Sequence, residues 1–61
     1  MIYAKIKNIA SQKNISIAAL EKKAGLSNGT IGKWRNSAPN VDSLIKVAKV
    51  LNVSLNTLTK D

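Results

Sequence analysis

Sixty-one residues allow one small domain over 1–61, with a core that supplies only a few kcal/mol of net stability, so local contacts or self-association are favoured. Cysteine and histidine are absent, and Glu21, Asp42 and Asp61 are the only carboxylates. That excludes a disulfide scaffold and a thiolate metal site and leaves almost nothing for acid–base catalysis, so neither an enzyme nor a cofactor is expected. Ten Lys and Arg give a net charge of +7, which points to an anionic partner, either nucleic acid or a membrane surface.

No apolar run approaches the roughly 20 residues of a membrane span. Lys5 and Lys7 interrupt any signal-peptide core, so a cytoplasmic location is expected. Ile2, Ile6, Ile9 and Ala10 fall at i, i+4, i+7 and i+8 and predict a first helix over 2–12, ended by Lys13-Asn14. An apolar-Ser pair followed by an apolar residue four positions after the Ser then occurs three times: Ile15-Ser16 with Leu20, Leu26-Ser27 with Ile31, and Val53-Ser54 with Leu58. Each reads as a serine N-cap with a hydrophobic staple, predicting helix starts near 17, 28 and 55. None carries Glu or Gln three residues after the Ser, so the reciprocal capping box is missing.

The second helix is therefore expected over 17–24, stopping at Gly25, and the third over 28–36, before Ser37-Ala38-Pro39. Two such short helices joined through a glycine make a helix-turn-helix over about 16–36. Asn40 and Asp42 open a fourth helix with Val41, Leu44, Ile45, Ala48 and Leu51 on its inner face, ended by Asn52. A fifth spans 55–60. The expected fold is all-α, a compact five-helix domain.

Leu20, Ala24, Ile31 and Trp34 form the inward set of the second and third helices, with Trp34 in the core. The outer set is Ser27, Asn28, Gly29, Gly32 and Lys33. Asn pairs with adenine and Lys with guanine or a phosphate, and the two glycines allow close approach of the backbone to base edges. Lys22, Lys23, Lys33 and Arg35, with the amides at Ser16 and Ile17, supply an anion-friendly surround.

The stretch SIAALEKKAGLSNGTIGKWRNS, followed by PNVDSLIKVAKVLNVSLNTL, closely resembles the helix-turn-helix domain of lambdoid phage repressors and Cro proteins, the XRE family, over about residues 3–60. The resemblance implies a lambda repressor-like fold and a transcriptional regulator, a repressor in many relatives. It implies binding to double-stranded operator DNA, usually as a two-fold homodimer on a palindromic site. It places base reading in the major groove on Ser27, Asn28, Gly29, Gly32 and Lys33, within helix 28–36. Phosphate contacts fall on Ser16, Ile17, Lys22, Lys23, Arg35 and Asn36. Ile17 stands where many members have a Gln that contacts DNA, Arg35 where many have Glu, and Ser37 where many have Gly. The dimer surface is expected near Val53, Leu55 and Leu58. Neither a membrane nor a small-molecule substrate is implied. Two other classes fit the charge and size: a cationic membrane-active helical peptide, which leaves the capped helix starts unexplained, and a helix-turn-helix adaptor or antitoxin that binds protein.

Overall fold

The computed structural model describes residues 2–60; Met1 and Asp61, the ends of the expected domain, lie outside them. Four α-helices form, α1 (Ile2–Gln12), α2 (Ile17–Ala24), α3 (Val41–Leu51) and α4 (Leu55–Thr59), with a 3-10 helix, Ile31–Arg35, between α2 and α3. Each of the five elements contributes to the fully buried set: Ile6, Leu20, Ile31, Val47, Leu51 and Leu58. Helix α2 packs on α3, while α1 packs on the 3-10 helix, on α4 and on α2. The result is an all-helical arrangement of the described residues.

Three of the helix ends share one device. Asn14, Gly25 and Asn52 adopt the left-handed conformation with φ of 59°, 74° and 57°. In each case the next amide bonds back five residues: Ile15 to the Ala10 carbonyl at 2.9 Å, Leu26 to Glu21 at 2.8 Å and Val53 to Ala48 at 3.0 Å. This is the Schellman pattern, and it satisfies carbonyls that the helix end would otherwise leave unpaired. Ile15, Leu26 and Val53 thus close one helix while also packing, half-covered, against the core. The serine that follows opens the next helix in two cases. Ser16 accepts from the Ala19 amide and Ser54 from the Thr57 amide, both at 3.1 Å. Asn40 does the same for α3, accepting from Ser43 at 2.7 Å.

The third case differs from the sequence expectation. No α-helix starts at Asn28, and the Ser27 side chain caps nothing there. Residues 28–30 are a turn, and the 3-10 helix begins only at Ile31 after Thr30, which makes no side-chain cap bond. The expected five helices are therefore four α-helices and one shorter, tighter element. Gly29, with φ +88°, breaks any helix at that point. On α3, Val41 is 63% exposed rather than inward, Ile45 is only half-buried, and Val47, at i+3 from Leu44, joins Leu44, Ala48 and Leu51 on the buried face. Among the described residues, no helix is long and apolar enough to cross a membrane.

Candidate nucleic-acid interface

The segment between α2 and the 3-10 helix is shaped by one side chain. Glu21 lies on α2 beside the core positions Leu20 and Ala24 and is 3% exposed, a buried carboxylate in a strongly basic chain. Its Oε1 accepts from the Gly29 amide at 3.1 Å and its Oε2 from the Ile31 amide at 2.8 Å. Between them, the Thr30 amide bonds to the Ser27 carbonyl at 3.1 Å and closes a tight turn. Gly29 sits at the third position of that turn with φ +88°, a combination that favours glycine in a type II turn. A Cβ on Gly29 would meet nothing within 4 Å, so backbone angle alone explains the residue.

The carboxylate thus does for this helix what a serine does for the others. Buried amides without a partner are costly, and a charged acceptor makes a stronger bond than a neutral one. The amides of Gly29 and Ile31 are consequently committed inside the chain and are not donors for DNA. Sequence reasoning missed Glu21 because a cap is sought within three residues of a helix start, and this one acts from eight and ten residues away. Two signals were present: Glu21 is the only acid in 16–36, and it adjoins an inward leucine.

Beyond the turn, 3-10 geometry stacks residues three apart. Ile31 and Trp34 form the buried row. Lys33 and Asn36 lie exposed on a second row, continuous with Thr30. Gly32 and Arg35 form the third. The Arg35 Nε donates to the Gly32 carbonyl at 3.2 Å, and its guanidinium lies over the Tyr3 ring, 5.2 Å from the centroid. That stacking fixes a cation on the surface where α1 meets the 3-10 helix. A Cβ on Gly32 would stand 3.9 Å from Arg35 Nη2, an ordinary contact.

Ser27, Asn28, Gly29 and Lys33 are exposed and Gly32 is half-covered. Of the expected phosphate-contact set, Ser16, Lys22, Lys23, Arg35 and Asn36 are exposed and Ile17 is half-buried at the first position of α2. Apart from Ile17, the set divides among three surface depressions. Asn28 shares one with Lys22, Ser16 shares another with Lys13 and Lys23, and Arg35 and Asn36 line a third. The Ile17 and Ala18 amides, in the first turn of α2, have no intrahelical partner, and the Ser16 hydroxyl stands beside them. Of the residues expected at a dimer surface, Leu58 is buried in the chain's own core, Val53 is half-covered, and Leu55 is 37% exposed.

The helix-turn-helix family model matches residues 6–58. The chain belongs to this family, in its XRE branch of Cro- and repressor-like DNA-binding domains. Sequence-specific binding of double-stranded DNA and regulation of transcription follow as its general function. No curated protein matches the chain.

Proposed function

We propose that this chain is a Cro-like repressor domain that occupies a palindromic operator as a homodimer in the cytoplasm and blocks access of polymerase. The observation that carries the reading is that Ser27, Asn28 and Lys33 are exposed on a segment anchored in the core by Ile31 and Trp34. This segment enters the major groove. Asn28 and Lys33 supply base contacts, Ser27 adds a hydroxyl, and Gly29 and Gly32 act by leaving out side chains. Ser16 and Ile17, through hydroxyl and amide, with Lys22, Lys23, Arg35 and Asn36, hold the phosphates. The charge balance supports this assignment. With Glu21 buried, Asp42 is the one exposed acid among the described residues, so little opposes a polyanion. The partner copy docks beside Leu55, since Leu58 is used internally.

Selection of bound sequences from a random duplex pool tests the reading. A two-fold symmetric consensus with half-sites one helical turn apart, about 34 Å, is the expected result. An asymmetric consensus would remove the homodimer, and no consensus would remove the specific regulator. With that operator in hand, Lys33→Ala is expected to lower discrimination at one base pair by about 1–3 kcal/mol. An equal loss on every sequence would make Lys33 a phosphate contact instead. Gly32→Ala separates folding from binding. Its φ is not positive and its Cβ has room, so stability should hold or rise by up to roughly 1 kcal/mol. Operator affinity should fall, because the methyl group stands where the duplex approaches. Unchanged affinity would show that nothing comes close to Gly32.

A further inference from the structure

Glu21 is buried and presents no charge to the proposed DNA surface, yet both of its oxygens are bonded to the segment that carries Asn28. One of the two amides it holds, Gly29, lies within the turn, and the other, Ile31, is the first residue of the 3-10 helix that follows. Asn28 precedes the first of these and Lys33 follows the second by two residues, so the carboxylate fixes the frame between the two candidate base readers. The other ties of the frame are backbone bonds, from the Thr30 amide to the Ser27 carbonyl at 3.1 Å and from the Lys33 amide to the Gly29 and Thr30 carbonyls at 3.3 and 3.2 Å, with no side-chain cap among them. Ser27 makes no side-chain cap, Thr30 makes none, and the 3-10 helix is only five residues long. A short 3-10 segment opening after a glycine with φ +88° has little intrinsic stability of its own.

We propose that Glu21 is the positioning residue for base readout: its carboxylate sets the turn at 28–30 before DNA arrives, and so sets which bases Asn28 and Lys33 reach. This rests on the base-reading function proposed above and adds how its geometry is fixed. Two consequences follow from the chemistry. Binding to any duplex draws on lysine and arginine contacts to phosphates, which do not involve Glu21 and respond to salt. Base contacts instead depend on placement of side chains, so a loosened turn loses sequence discrimination first.

Glu21→Gln is the direct test, since it keeps the shape and one oxygen. Its amide nitrogen would face a backbone N–H, donor against donor, and one of the two bonds is lost. The selected operator and a scrambled duplex of equal length are titrated with the wild-type chain and the variant, at a temperature where both are folded. The ratio of the two affinities is expected to fall about tenfold, the value of one good base contact, with affinity for the scrambled duplex unchanged. A purely structural role would weaken both duplexes together as the folded fraction drops, and that result overturns the proposal. An unchanged ratio in the folded variant does so too.

If the variant does not fold, amide hydrogen exchange in the wild-type chain decides. Gly29 and Ile31 amides that are protected in the free protein, to the same degree as in the DNA complex, support a turn set in advance. Protection that appears only with DNA overturns it. A wild-type chain that prefers no sequence at all overturns the base-reading function as well. A specific wild type with an insensitive Gln variant leaves that function standing and removes only the role of Glu21.

Discussion

Replacing Glu21 with Ala is expected to lower stability by roughly 2–4 kcal/mol, because it removes the acceptor and leaves both donors in place. Burying a charge is itself costly, and replacing a buried polar pair with apolar groups is often neutral. Here the exchange is one-sided. The Ile31 amide is buried, and the Gly29 amide is partly so. Neither can be removed by substitution, since each belongs to the backbone. Lost bonds to a charged group therefore outweigh the relief of desolvating it. For a chain of 61 residues the total stability is about 3–9 kcal/mol, at roughly 0.05–0.15 kcal/mol per residue. The fall in Tm should be on the order of 10–30 °C in a thermal melt followed by circular dichroism. A melt within a degree or two of wild type would mean that water or a rearranged turn satisfies the two amides.

The same residue marks the limit of what the chain reveals before its structure is known. Helices α1, α2 and α4 are legible because their signals are local and agree. Apolar spacing, a left-handed Asn or Gly at the end and a serine at the next start all lie within a few positions of one another. At Ser27 the local signals conflict. The staple spacing of Leu26 and Ile31 predicts a helix start, whereas Asn28-Gly29 is a turn dipeptide that favours positive φ. The turn prevails because Glu21 satisfies the Gly29 and Ile31 amides from the preceding helix, where a Ser27 cap would have reached only Gly29 or Thr30. Ile31 still goes inward, because three residues per turn and 3.6 residues per turn both place it below Trp34. Core identity thus survives a wrong helix type, while the placement of Asn28 does not. For α3 the reason is different. Val41 lies at the first position, beyond the reach of neighbouring helices, so its apolar side chain stays exposed despite the spacing.

Trp34→Ala is expected to remove about 3–5 kcal/mol, a large share of the total stability of about 3–9 kcal/mol and enough to unfold the chain at the lower end of that range. Trp34 is 6% exposed and forms the inner row of the 3-10 helix together with Ile31, which is fully buried. The rows carrying Lys33 and Arg35 are defined by what lies beneath them, so loss of the indole also loses the DNA-facing side. A role for Trp34 in stacking on a base would predict the same loss of binding for a different reason. Fluorescence separates the two, because Trp34 is the only tryptophan in the chain. A buried indole should emit at short wavelength in the free protein and stay unquenched when operator DNA is added. Strong quenching on binding would bring the ring out against a base, where stacking is worth about 1–3 kcal/mol. Trp34→Phe supplies the second arm. It should keep the fold at a loss of about 1–2 kcal/mol and retain operator affinity once folded, because a smaller ring still supports the row above it. A folded Phe variant with normal stability and no DNA binding would contradict the assignment of Trp34 to the core.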